Sequence, residues 1–188
     1  MSVVITGGIC TGKSSACAIL KEFGYHIIDA DKIAHRILDD NALNIAQMFG
    51  DEFVSNGQVD RKKLGLVIFS DKRKKRILED FLHPLIRMRI AKQKDEAEKS
   101  GKKYILDIPL FFETNSYDAD QVILVYAPKE IQLQRLIARD GLSKEEALLR
   151  IESQMDIEKK KELSDIVIDN TKDLKNLKRE LADAGFKI

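Results

Sequence analysis

The chain has 188 residues, enough for one globular domain with a full hydrophobic centre. Its 32 Lys and Arg against 31 Asp and Glu leave a formal net charge of +1, which argues against nucleic acid or a membrane surface as a dedicated partner, since either needs basic residues in excess. The two cysteines, Cys10 and Cys17, lie too close together for a disulfide framework, and no stretch approaches the ~18 apolar residues of a membrane span, so a soluble, cytoplasmic protein is expected.

Val3-Val4-Ile5-Thr6 reads as a buried strand and Ser15 to Phe23 as an amphipathic helix. Between them Gly7-Gly8-Ile9-Cys10-Thr11-Gly12-Lys13-Ser14 has the G-x-x-x-x-G-K-[ST] spacing of a phosphate-binding loop, or P-loop. A triphosphate concentrates negative charge, so the turn must aim several backbone N–H groups at one point, and the helix N-terminus adds its unpaired donors and positive dipole end. Lys13 is placed to reach the β- and γ-phosphates, and the Ser14 hydroxyl to ligate Mg²⁺.

Tyr25 to Ile28 predicts a second strand, closed by Asp29-Ala30-Asp31 and continued by a helix through Leu38. Residues 41–100 contain no convincing strand and read as successive helices: 42–49, 61–69, 72–82 and a long one from Pro84 to Glu98. Lys102 to Pro109 and Gln121 to Tyr126 supply a third and a fourth strand, apolar enough for burial on both faces. Lys129 to Arg139 is helical, Asp140-Gly141-Leu142 breaks it, and Ser143-Lys144-Glu145-Glu146 has the pattern of a capping box. Ser164 to Asn170 predicts a fifth strand and Thr171 to Ala184 a last helix, with Gly185 at its C-cap. Strands alternating with helices indicate an α/β fold with a parallel sheet, whose ligands bind beyond the carboxyl ends of the strands.

Several of these residues also carry a resemblance. Thr6-Gly7-Gly8-Ile9, Asp29-Ala30-Asp31 with Ile33-Ala34, His83-Pro84-Leu85-Ile86, Asp107 to Glu113, Arg139-Asp140, Arg150-Ile151 with Gln154, and Asp165 to Asn170 resemble, in order, the pattern of the dephospho-coenzyme A kinases. The resemblance runs over almost the whole chain. It implies a P-loop kinase fold with a five-stranded parallel sheet, a core over 1–30, 101–138 and 156–188, a helical acceptor-binding subdomain over about 31–100, and a lid over about 139–155. The reaction it implies is transfer of the γ-phosphoryl group of ATP, with Mg²⁺, to the ribose 3′-hydroxyl of dephospho-CoA, the last step of coenzyme A synthesis. The chain departs from the pattern at Cys10 and Thr11, where the family usually has Gly and Ser. A residue with a Cβ at position 10 restricts the backbone if the loop needs φ > 0 there.

Among single residues, Asp31 reads either as the carboxylate that accepts the hydroxyl proton or as an N-cap; the resemblance favours the base. Lys13 and Arg139 supply cations for the charge that spreads over the transferring group. Gly8, Ile9, Cys10, Thr11, Gly12, Lys13, Ser14, Ser15 and Asn170 are expected to hold the nucleotide. Thr6, Asp31, His83, Asp107 and Glu113 are expected on the acceptor side. Arg135 reads as a solvated helix position, and Lys13 as the start of an exposed helix end. Cys10, at a helix N-terminus near Lys13, reads either as a thiol of lowered pKa that is alkylated readily while Cys17 reacts slowly, or as a small packed and inert residue. A nucleoside monophosphate kinase shares the loop and lid. A GTP-dependent switch does not fit: Asn170-Thr171-Lys172-Asp173 has the letters of the guanine motif in the wrong order, and Asp107-Ile108-Pro109-Leu110 lacks the glycine of the γ-phosphate sensor.

Overall fold

Along the computed structural model, which describes residues 2–114 and 117–187, the elements are β1 (Val3–Gly7), α1 (Lys13–Glu22), β2 (His26–Asp29), α2 (Ala30–Asp40), α3 (Ala42–Phe49), β3 (Val54–Ser55), β4 (Gln58–Val59), α4 (Arg61–Ser70) and α5 (Lys72–Lys99). There follow β5 (Tyr104–Asp107), α6 (Phe111–Thr114), β6 (Gln121–Tyr126), α7 (Lys129–Asp140), α8 (Lys144–Glu152), α9 (Ile157–Glu162), β7 (Ile166–Asp169) and α10 (Leu174–Asp183). Two compact units result: residues up to Ile28 together with those from Ala97 onward, and Asp29–Glu96.

The first unit is built on a five-stranded parallel sheet of order β2-β5-β1-β6-β7. β1 lies in the centre, in register with β5 through Val4 and Leu106 and with β6 from Val3 and Gln121 to Gly7 and Val125. β2 and β5 lie to one side of it and β6 and β7 to the other, so the connections turn to opposite sides of β1, which makes its carboxyl end the switch point where α/β sheets take ligands. On one face, Ala16, Cys17, Ile19 and Leu20 of α1 and Leu177 and Leu181 of α10 bury against Ile5, Ile105, Ile123, Val125 and Ile168. On the other, Ile157 of α9 packs on Leu124 and Tyr126. The alternation of strand residues between these two sets is the period-two pattern that the apolar runs require. α1 and α10 end alike: Tyr25 N–H donates to Leu20 O and Phe186 N–H to Leu181 O, both at 3.0 Å, and the two aromatic rings then meet edge to face at 5.7 Å.

The second unit is mainly helical, around Leu38, Ala42, Ile45, Phe53, Val59 and Leu64. Two expectations fail here. β3 and β4 form an antiparallel hairpin in a stretch expected to hold no strand. Its turn is Asn56-Gly57, with φ of 51° and 74°, the pair of positive angles a two-residue type I′ turn needs. The two helices expected on either side of His83 are one helix, α5, with Pro84 inside it. Proline removes one N–H from the ladder and disfavours helical geometry in the residue before it. Ile86 and Ile90 behind it are buried, and that burial outweighs the local penalty.

Candidate active site

The site grows from the end of β1. Gly12 is left-handed, with φ 92° and ψ 18°, and precedes α1 as its N-cap with no side-chain hydrogen bond. No acidic residue lies in the first turn of α1, so its first amides and dipole face an open anion position. Thr11 locks the turn beneath: its N–H and Oγ1 both donate to Gly8 O, at 3.3 and 3.0 Å. A hydroxyl does this whether the residue is Thr or Ser. Cys10 stands at φ 57°, so the departure from the family's usual glycine falls where the backbone is left-handed and a Cβ strains it.

Above the loop opens a cavity of about 660 Å³, within the range of small-molecule sites. It brings together Gly8, Ile9, Cys10, Gly12, Lys13, Ser14, Ser15, Arg139 and Asn170 of the expected residues, and adds Pro109, Arg135, Gln154 and Lys172. Thr6 and Thr11 are fully buried instead, Thr6 Oγ1 donating to Pro109 O at 3.0 Å. Ile9 lines the cavity, but its N–H donates to Gln154 Oε1 at 2.8 Å. Asn170 holds the loop from below: Nδ2 donates to Thr11 O at 2.8 Å.

Lys13 is not at an exposed helix end. Its ammonium pairs with Asp107 at the end of β5, and the two side chains are only 15 % and 10 % exposed. The Cys17 thiol donates to the other carboxylate oxygen of Asp107 at 3.6 Å. Burial, then the Asp107 charge, pushes Cys17 up to about 12. Of the two readings of Cys10, the structure favours the inert one: burial raises its pKa, and Arg139 only partly offsets this.

Arg135 is not a solvated position. Its guanidinium donates to Asn170 O at 2.8 Å and to Cys10 O at 3.5 Å, bracing the loop against the end of β7. Arg139 is exposed and forks onto Asp140 at 2.7 and 3.0 Å, and Arg150 of α8 reaches the same carboxylate at 3.2 Å. The Arg139 hydrogen bond holds the Asp140 carboxyl below its ordinary range. The capping box expected at Ser143 and Glu146 is formed.

Glu113 is engaged within the protein: Oε1 accepts from Met155 N–H at 3.1 Å and pairs with Lys160 at 2.7 Å. Asp31 and His83 belong to the other unit. The N-cap of α2 is Asp29, accepting from Lys32 N–H at 2.9 Å, so Asp31, exposed in the first turn, is not the cap. His83 is half-buried within α5.

A family model described as dephospho-CoA kinase matches residues 1–176. The chain belongs to the dephospho-CoA kinase family. Among its relatives, the dephospho-CoA kinase of Sulfurimonas denitrificans is 49 % identical, over all of this chain and 94 % of that one. That of Helicobacter pylori J99 is 46 % identical, over 96 % and 93 %. Among solved structures, a Thermus thermophilus protein matches with a TM-score of 0.86 at 34 % identity, over 98 % of this chain and 95 % of that one. The Campylobacter jejuni dephospho-CoA kinase matches at 0.73 and 39 %, over 97 % and 94 %.

Functional residues not evident in the sequence include Arg135, Gln154 and Lys172, which line the cavity, and Lys160 behind the loop. Lys160 is fully buried yet sits in the run Lys159-Lys160-Lys161, which looks solvated. The signal was its spacing of three from the buried Ile157, which puts both on one helix face.

Proposed function

We propose that the cavity over the P-loop binds ATP with Mg²⁺ and that its γ-phosphoryl group passes to the ribose 3′-hydroxyl of dephospho-CoA, giving coenzyme A and ADP. ATP-dependent phosphorylation of dephospho-CoA, a step of coenzyme A synthesis, is the activity of the family to which the chain belongs. The observation that carries the site assignment is the uncapped start of α1, opening under a braced loop into a cavity walled by Lys13, Arg135, Arg139 and Lys172.

The division of work follows from charge and reach. Gly8, Cys10, Gly12 and Ser15 shape the cradle, while Thr11 and Asn170 hold its geometry from behind. Lys13 and Arg139 offset charge that grows on the transferring group. Each already has a carboxylate partner, Asp107 and Asp140 respectively, so phosphate binding exchanges or shares that partner. Asp31 accepts the proton of the attacking hydroxyl. Thr6, His83, Asp107 and Glu113 serve the acceptor side, Thr6 and Glu113 through the structure they tie together. The chemistry fits Mg²⁺: Ser14 lines the cavity beside Lys13, and its hydroxyl oxygen is a hard donor that would hold the ion together with phosphate oxygens. When bound, Mg²⁺ would neutralise the β- and γ-phosphates.

The Asp29–Glu96 unit is assigned to acceptor binding and residues 139–155 to the lid. The unpaired thiols of Cys10 and Cys17 support a reducing, cytoplasmic setting. The test is turnover with ATP or GTP crossed against dephospho-CoA or AMP. Formation of ADP and coenzyme A from ATP and dephospho-CoA is expected to dominate; preferred phosphorylation of AMP would contradict the proposal.

A further inference from the structure

The back of the phosphate loop is gripped by one short stretch, residues 154–160, nearly 150 positions away in sequence. Gln154 Oε1 accepts from Ile9 N–H at 2.8 Å. Ile157 lies where it would meet a Cβ on Gly8, its Cδ1 3.3 Å away. Lys160 Nζ donates to Gly7 O at 3.0 Å and pairs with Glu113 Oε1 at 2.7 Å, with the lysine side chain 0 % exposed. The same Glu113 oxygen accepts from Met155 N–H at 3.1 Å, so the stretch is bound to the α6 segment as well. Gly7 and Ile9 are thereby held by hydrogen bonds from one side, with Ile157 filling the space that a side chain on Gly8 would need. Arg135 and Asn170 fix Cys10 and Thr11 from another.

A buried ammonium is costly unless its charge is matched and its protons are used. The charge of Lys160 is matched by Glu113 and one of its protons by the carbonyl at the start of the loop. A hydrophobic residue of similar length would have packed without that cost, so the lysine is informative about the loop rather than about the core. Gln154 is informative in its neutrality. It lines the phosphate cavity while accepting an N–H, a task a carboxylate performs as well or better. A glutamate there would bring negative charge against a triphosphate.

We propose that Gln154 and Lys160 are positioning residues for phosphoryl transfer: they clamp the first turn of the phosphate loop in its nucleotide-binding shape. The clamp also ties the loop to the lid, because Gln154 follows the end of α8 at Glu152 by two residues. α8 carries Arg150, which shares Asp140 with Arg139. A shift of α8 is therefore felt at Ile9 N–H. The inference rests on the reading of the loop as the ATP site.

The test measures KM for each substrate, kcat and ligand-free melting in Gln154→Leu, Gln154→Glu, Lys160→Arg and Lys160→Met, with Lys13→Ala as reference. Gln154→Leu is expected to raise KM for ATP about tenfold, the loss of roughly one hydrogen bond. KM for dephospho-CoA should stay within about twofold, a split that loosened packing alone does not produce. Gln154→Glu keeps the acceptor and the melting temperature but raises KM for ATP by about tenfold or more, a penalty that shrinks as salt is added. Lys160→Arg keeps the charge and donors and retains KM for ATP within about threefold, whereas Lys160→Met loses it or does not fold. Unchanged KM for ATP in Gln154→Leu, or equal losses for the two substrates, overturns the proposal. If Lys13→Ala binds ATP normally, the phosphate-loop reading itself falls; if Lys13→Ala loses ATP while Gln154→Leu does not, only the clamp falls.

Discussion

Replacing Gly12 by Ala strikes the loop at its most constrained position. A Cβ there would lie 2.0 Å from Nδ2 of Asn170, a buried residue whose amide donates to Thr11 O. The backbone is also at φ 92°, where a side chain costs about 1–2 kcal/mol. Driving the Asn170 amide off leaves Thr11 O and Nδ2 unpaired, adding about 1–3 kcal/mol. The smaller entropy of the unfolded Ala chain returns about 0.5 kcal/mol. The net expectation is about 3 kcal/mol of destabilisation, or a fall of roughly 6–12 °C in Tm for a chain of this length. Urea denaturation measures it, and Asn170→Ala separates the causes. In that background the clash is gone, and Gly12→Ala should cost only about 1 kcal/mol. Equal costs in the two backgrounds, within about 0.5 kcal/mol, would refute the role given to Asn170.

Cys10→Gly should relieve the left-handed strain while adding unfolded-chain freedom, for a net gain of up to about 1 kcal/mol; ATP affinity should be kept or improved, and a loss in either contradicts the strain argument. Cys17 has a pKa of about 12 in the fold against 9.0 outside it, so its contribution is full below pH 9 and is lost as pH rises towards 12. Stability should therefore fall by about 1.4 kcal/mol per pH unit above pH 9, and Cys17→Ala should remove that slope in urea titrations at pH 9 to 10.5. In the same range Cys10 should be alkylated ahead of Cys17, slowly near neutrality because its own pKa is raised; faster labelling of Cys17 by mass spectrometry contradicts the burial argument. Asp31→Asn should lower kcat by about 10²-fold or more with little change in ATP affinity. Collapse of ATP binding with surviving turnover would move Asp31 into nucleotide binding.

What the sequence displayed was periodicity and spacing. The central strand and the loop were legible because an apolar run, a glycine pattern and a helix stand in one order, and Gln121–Tyr126 because an apolar-rich run stands between Asp120 and the breaker Pro128. The hairpin at β3 and β4 was missed because its strands are two residues each, too short to show alternation, although Asn56-Gly57 carried the turn signal. Pro84 reads as a helix start, since the burial that keeps α5 continuous is tertiary. The same limit governed the site. That Asp107 takes the Lys13 ammonium, that Arg135 braces two carbonyls and that Lys160 reaches Gly7 are contacts between positions 35 to 153 apart, and no local pattern records them. The cap at Asp29 rather than Asp31 turned on a shift of two residues.

The central claim, that phosphoryl transfer takes place over the P-loop with Lys13 acting on the transferring group, is tested most directly by the turnover of Lys13→Ala with ATP and dephospho-CoA. Loss of the ammonium leaves Asp107 with an uncompensated, largely buried charge, so melting should fall as well, and turnover must be read well below the melting temperature of the variant. The account predicts a loss of ~10²-fold or more in turnover; near-normal turnover by a folded Lys13→Ala would contradict it.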